Sequence, residues 1–274
     1  MPSRLLPTQI QLFFFALGSD CLWWTPDKQV MGWEGPKLPL IRYFDATEAN
    51  RGMAEHFSRS ARTLGIGSAA TILVVGLAYA FALTLGFANL TTADSPISDP
   101  YFSVMEVLIL MLAPTMVALM AAVHAWAPDH QKVFSLTALC FTAMLATLTC
   151  SVHFLILALG RRSGLIDPAV TDAFLAFKWP SVVYALDVLG WDFFFALAML
   201  FAAPAFRGGG LNRAIRFSMI ISGLLALAGL IGVPSGDMML RNIGIAGYLG
   251  AFLVVDGLLL SLFLRPHSAP PRAQ

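Results

Sequence analysis

Six long apolar stretches dominate the chain and are separated by shorter polar segments. They cover residues 64–90, 101–126, 133–160, 180–206, 217–236 and 243–264. Each stretch reaches the roughly 20 residues that an α-helix needs to cross about 30 Å of hydrocarbon. The pattern therefore predicts an all-α polytopic membrane protein built as a bundle of six transmembrane helices, with the lipid bilayer as its surroundings.

The connecting segments support this arrangement because most of them are short and contain residues that end helices. Pro128 follows the second stretch, and the run from Gly208 to Gly210 follows the fourth. Short connections place consecutive helices side by side as antiparallel neighbours. The longer segment after the third stretch contains DPAVTDAFLAFK, which predicts a short amphipathic helix along the membrane surface, opened by Asp167 and Pro168.

Composition agrees with a membrane protein and excludes one class of partner. Hydrophobic residues make up 58% of the chain and charged residues 12%, whereas soluble domains carry about 25% charged residues. The formal net charge of +1 gives no basic field for nucleic acid, so nucleic-acid binding is not expected. The three cysteines, Cys21, Cys140 and Cys150, lack the spacing of metal ligands and indicate no disulfide framework.

The distribution of Lys and Arg predicts the orientation, because positive loops are retained in the cytoplasm. If the segment before the first stretch is cytoplasmic, that side holds eight cations: Arg59, Arg62, Lys132, Arg207, Arg213, Arg216, Arg265 and Arg272. The exterior then holds four: Arg161, Arg162, Lys178 and Arg241. We therefore expect both termini in the cytoplasm and a multi-pass location in the cell (plasma or inner) membrane.

The chain divides into an N-terminal cytoplasmic tail at 1–63, the membrane domain at 64–264 and a cytoplasmic tail at 265–274. Residues 1–52 lack a sustained helical period, whereas Met53 begins a short basic tail, MAEHFSRSARTLG, that leads straight into the first span. We expect translation to start at Met53, which leaves 274 − 52 = 222 residues. The alternative is a genuine tail with an interfacial helix at 9–17, and the intact mass distinguishes the two.

Ionisable side chains within the apolar stretches are the candidate functional groups, because they cost several kcal/mol at the bilayer centre and therefore face the protein interior. Glu106 lies about 8 Å, and His153 and Asp187 about 10 Å, below the same surface, at a rise of 1.5 Å per residue. Since these residues lie on the second, third and fourth helices, we expect one polar cluster that is open toward the exterior.

Further residues extend the predicted cluster. Thr149 lies one helical turn from His153, and Tyr184 and Trp191 lie one turn on either side of Asp187. Asp192 is expected to face the interior as well. Asp256, about 12 Å from the inner end of the sixth helix, is expected to lie apart from the cluster and to bond to backbone or hydroxyl groups.

Two chemistries fit the predicted cluster of Glu106, His153 and Asp187. A carboxyl group beside a histidine is suited to a proton relay, and two carboxylates with an imidazole also make a plausible metal-ligand set. A purely structural contact between helices, worth about 1 kcal/mol, is the third interpretation. A haem held by two histidines is not expected, because His124 and His153 lie near opposite surfaces, and no motif names a cofactor.

The sequence thus favours small-molecule or proton-linked binding or translocation centred on this cluster. The alternatives are an intramembrane, metal-dependent enzyme that acts on lipid and an accessory membrane subunit without chemistry of its own. An enzyme is the less favoured class, because HExxH, GxSxG and Walker patterns are absent from the chain.

Overall fold

Six membrane-spanning helices make up most of the protein, as the sequence predicts. The computed structural model describes residues 57–90, 97–160 and 167–265, and these contain helices and no strand. The six helices long and apolar enough to cross a membrane are α1 (Arg59–Ala88), α2 (Tyr101–Trp126), α3 (Asp129–Gly160), α4 (Val182–Ala205), α5 (Leu211–Ser235) and α6 (Asn242–Leu264). The predicted start at Met53 and the predicted helix at 9–17 lie outside the described residues.

Each spanning helix packs against the next one along the chain, and α6 packs against α1. Small residues permit close approach between these helices. A Cβ atom added to Gly65 of α1 would strike the ring of Phe263 in α6, and one added to Gly76 would strike Leu253. Helices in lipid rely on such small residues because close packing, rather than hydrophobic burial, holds them together.

Cationic side chains cap the C-termini of two helices at the end of the bundle where α1 begins and α6 ends. The Arg62 guanidinium donates hydrogen bonds to the backbone carbonyls of Phe263 (2.7 Å) and Leu264 (3.0 Å) in the last turn of α6. Lys132 Nζ donates to the carbonyl of His124 (2.6 Å) near the end of α2. These carbonyls have no partner within their own helices, so the cations satisfy them.

Three of the spanning helices contain a π-helical segment, and all three segments lie toward the other end of the bundle. The segments are Ile156–Gly160 in α3, Leu189–Phe194 in α4 and Ala246–Ala251 in α6. Such wide turns are rare and occur frequently at functional sites. We call this end of the bundle, where α2, α4 and α6 begin, the network end.

Two connections shape the network end. The predicted surface helix is present but short, with Asp167 capping Pro168–Val170 and a π turn at Thr171–Leu175 after it. In α5, the regular helix ends at Gly229, resumes over Gly232–Ser235 and closes on Gly236. Gly236 has a φ of 69°, a left-handed conformation that favours glycine, and it turns the chain back toward α6.

Candidate functional site

A buried carboxylate–imidazole pair joins α2 to α3. Glu106 Oε2 lies 2.7 Å from His153 Nδ1, and the two residues are 2% and 4% exposed. The side chains meet because both lie about one and a half to two turns inside their helices from the network end, Glu106 from the start of α2 and His153 from the end of α3. The polar cluster that the sequence predicts is therefore present, with Glu106 and His153 in direct contact.

Asp187 of α4 lies on the other side of the same imidazole. His153 Nε2 is 3.4 Å from Asp187 Oδ1, within ion-pair distance although the pair does not meet hydrogen-bond geometry. Both ring nitrogens of His153 thus face a carboxylate. The three predicted residues form a row, Glu106–His153–Asp187, rather than a ring around a common centre.

Arg241 continues this row from the turn before α6. Its Nη2 donates to Asp187 Oδ2 (2.7 Å), and its Nε donates to Asp192 Oδ2 (3.3 Å). Its Nη1 donates to the hydroxyl of Tyr184 (3.2 Å), whose ring centroid lies 4.8 Å from the guanidinium carbon. One guanidinium therefore contacts three side chains of α4, which suits its planar fork of donors. We refer to Glu106, His153, Tyr184, Asp187, Asp192 and Arg241 as the polar network.

The second oxygen of Asp192 occupies a notch between α5 and α6. Asp192 is fully buried, and its Oδ1 has no hydrogen-bond partner. A Cβ atom added to Gly229 or to Gly244 would collide with this oxygen. The two glycines therefore provide the space in which the Asp192 carboxyl group reaches Arg241.

Aromatic side chains surround the polar network. Phe177, from the segment before α4, lies 5.8 Å from the His153 ring and 5.2 Å from the Tyr184 ring, measured between centroids. Tyr79 of α1 lies within electrostatic range of Glu106, Asp187 and Arg241, and Tyr248 of α6 lies within range of Asp187, Asp192 and Arg241. All six spanning helices, or the turns beside them, thus contribute to this region.

The prediction of a cluster open toward the exterior is wrong. The five charged members of the polar network are at most 6% exposed, with Arg241 the most exposed of them. Phe177 and Tyr184 cover the network where the sequence suggested an opening, because the segment before α4 folds across the end of the bundle. The site is a closed network of charged groups.

The charges of the polar network do not balance on their own. Three carboxyl groups face one permanently charged guanidinium and one imidazole. With all three carboxyl groups ionised, the sum is −2 when His153 is neutral and −1 when it is protonated. Because net charge is costly in a buried, low-dielectric environment, the network favours the uptake of protons.

Arg241 lies in the connection between α5 and α6, as predicted, but it is buried in the polar network, which the sequence did not predict. The residue lies just outside an apolar stretch, so hydropathy assigns it to a loop, but the α5–α6 turn folds it into the bundle. The excess of carboxyl groups within the spans is the signal that could have revealed it. Three buried acids on α2 and α4 call for a cation from elsewhere in the chain.

The remaining predicted residues occupy different positions relative to the network. Trp191 is buried and packs against Tyr248 beside the network, with 5.2 Å between the ring centroids. Thr149 is buried without a hydrogen-bond partner and lies toward Gly190 of α4. Asp256 lies apart from the network, as expected, but the bonds predicted for it are absent, because neither of its oxygens has a partner.

The geometry gives no support to a metal centre at the predicted ligands. Both nitrogens of His153 face carboxylates, and Asp187 binds Arg241 through its second oxygen. Within residues 57–90, 97–160 and 167–265, no group of three or more His, Cys, Asp or Glu side chains is arranged to hold a metal ion. The three residues are instead paired with one another and with Arg241.

Comparison of the chain with protein-family models, with curated proteins and with solved structures finds no match.

Proposed function

We propose that this protein moves protons across the membrane and that the polar network binds and releases the transported proton. The observation that carries the proposal is the charge imbalance of a buried row of groups, three carboxyls against one guanidinium and one imidazole. Burial disfavours any net charge. Protonation of His153 or of a carboxyl group therefore changes the strength of the bonds that join α2, α3, α4 and the α5–α6 turn.

A proton bound by this row acts on helix packing. When His153 is charged, it attracts both Glu106 and Asp187, and Asp187 then divides its interaction between His153 and Arg241. When His153 is neutral, Asp187 interacts mainly with Arg241. Because each partner lies on a different element, the two protonation states favour different positions of α3 relative to the α5–α6 turn. This coupling is the physical basis for linking proton binding to a change in access.

The proposed location is the cell membrane, with both termini in the cytoplasm and the polar network near the outer surface. In this orientation the cytoplasmic side holds eight Lys and Arg residues and the exterior four, a bias that supports it.

Proton flux into liposomes tests the transport proposal. The purified protein is reconstituted with a pH-sensitive dye inside the vesicles, and the decay of an imposed pH gradient is followed. We expect faster decay with the wild-type protein than in protein-free vesicles, and a loss of the difference in Asp187→Asn. The control is Asp172→Asn, which removes an exposed carboxyl group paired with Lys178. Wild-type vesicles that match protein-free vesicles would overturn the proposal.

The second candidate is an accessory subunit that has no transport or catalytic activity of its own. The burial of the polar network favours it. In that case the buried charges serve only to fix the packing of the helices. Asp187→Asn then lowers stability without any change in proton flux, because the wild-type protein carries none.

A further inference from the structure

Asp256 is a buried acid that the polar network does not use. It lies in α6 and is 0% exposed, and among the residues that the structure describes neither Oδ1 nor Oδ2 has a hydrogen-bond partner. The side chains beside it on the buried face of α6, Phe252, Val255 and Leu259, are all apolar and at most 3% exposed. The carboxyl group therefore stands alone in an apolar part of the bundle.

The helices that pack against α6 bring no charged partner to Asp256. In α1, the stretch from Leu64 to Ala88 has no charged residue, and the phenol of Tyr79 lies near the polar network instead. In α5, Ile215 and Met219 are fully buried. Arg213 and Arg216 of α5 form no bond to Asp256, nor do the two aspartates that α4 contributes to the network, Asp187 and Asp192.

The energetics of burial decide the form of this side chain. An ionised carboxylate without a partner costs tens of kcal/mol in an apolar medium by Born solvation, whereas an unpaired neutral polar group costs about 2–7 kcal/mol. Asp256 is therefore far cheaper to bury with its proton than without it. Since an acid without partners contributes no bond to helix packing, its presence points to a role in proton binding.

We propose that Asp256 is a second proton-binding site, independent of the polar network, which carries a proton in the resting protein and exchanges it from the opposite end of the bundle. The opposite end is the one where α6 finishes. Asp256 precedes Leu264 by eight residues, or about 12 Å, and follows Asn242 by fourteen, or about 21 Å. The shorter route leads away from the polar network.

Infrared spectroscopy of the protein in lipid tests this site. A protonated carboxyl group gives a C=O stretching band apart from the amide bands, and the band shifts to lower frequency when deuterium replaces the proton. We expect one such band at neutral pH that Asp256→Asn removes and that Asp256→Glu moves. We also expect the band to shift within hours of transfer to D₂O, because the proposed site exchanges its proton with water.

Two controls separate this proposal from the one made for the network. Labelling of all aspartates with ¹³C assigns the band to an aspartate, and the shift in Asp256→Glu, which keeps a carboxyl group, assigns it to Asp256 even if Asp256→Asn fails to fold. Glu106→Gln alters the network but should leave the Asp256 band in place. A neutral-pH spectrum without an aspartate band lost or moved on substitution of Asp256 would overturn the proposal. A band that does not shift in D₂O would overturn it as well, since that acid would be sealed from water.

Discussion

Arg241 Nη2 donates a hydrogen bond to Asp187 Oδ2 over 2.7 Å, between two buried side chains. Asp187 also faces His153, so the α5–α6 turn is linked through α4 to the imidazole of α3. A change in the charge of His153 therefore alters the interaction that holds Arg241. The buried groups therefore form one connected network rather than separate contacts between helices.

Removal of Arg241 should destabilise the protein strongly, because this side chain pairs with two buried carboxyl groups. Arg241→Ala leaves Asp187 and Asp192 buried without their cation, and breaking one side of a buried pair costs about 3–5 kcal/mol. We expect a marked fall in the thermal unfolding temperature in detergent. The matched control is Lys178→Ala, which breaks the exposed Lys178–Asp172 pair and should cost less than about 1 kcal/mol. Equal losses in the two variants would contradict the account of a buried network.

Arg241→Lys tests whether the shape of the guanidinium matters in addition to its charge. An ammonium group is a compact point charge and lacks the planar fork of donors that reaches Tyr184, Asp187 and Asp192 together. We expect the unfolding temperature of Arg241→Lys to lie between those of the wild-type protein and Arg241→Ala. A Lys variant as stable as the wild-type protein would show that the charge alone is sufficient.

Gly244→Ala should damage the network from the side of α6. The added Cβ collides with Asp192 Oδ1, and inserting a methyl group into a packed interior typically costs about 1–3 kcal/mol. Gly257→Ala, in the same helix, is the control, because an added Cβ there meets nothing within 4 Å. We expect the control to match or exceed the wild-type unfolding temperature, since alanine has the higher helix propensity.

The cause of this effect can be assigned with a double-mutant cycle. Asp192→Ser shortens the side chain and removes Oδ1 from the notch. If the collision with Oδ1 is responsible, Gly244→Ala should cost less in the Asp192→Ser background than in the wild-type background. The same cost in both backgrounds would assign the effect to another contact, such as the Tyr248 ring, which lies 3.4 Å from the added Cβ.

Arg62 should contribute to stability through the end of α6. Arg62→Ala removes the hydrogen bonds to the carbonyls of Phe263 and Leu264, and a cation at a helix C-terminus is worth about 0.3–1 kcal/mol. Arg59→Ala, which removes a neighbouring exposed cation, is the control and should have the smaller effect. If both substitutions have the same effect, the capping contacts of Arg62 do not stabilise the protein.

The six helices could be predicted from the sequence because apolar length is a local property of each segment. The meeting of Glu106 with His153 could also be predicted, since the rise per residue gives their depths. The position of Arg241 could not, because it depends on the left-handed turn at Gly236 and on the packing of α5 against α6. The closure of the site by Phe177 likewise depends on how a connecting segment folds, which helical periodicity does not describe.

The number of protons that the protein binds is the most direct test of the polar network as a proton-binding unit. The purified protein in detergent is titrated between about pH 5 and 8, where histidines and perturbed carboxyl groups exchange protons, and the wild-type count is compared with those of His153→Asn and Glu106→Gln. We predict fewer bound protons in both folded variants and an unchanged count in Asp172→Asn. Folded network variants that bind as many protons as the wild-type protein would contradict the central claim.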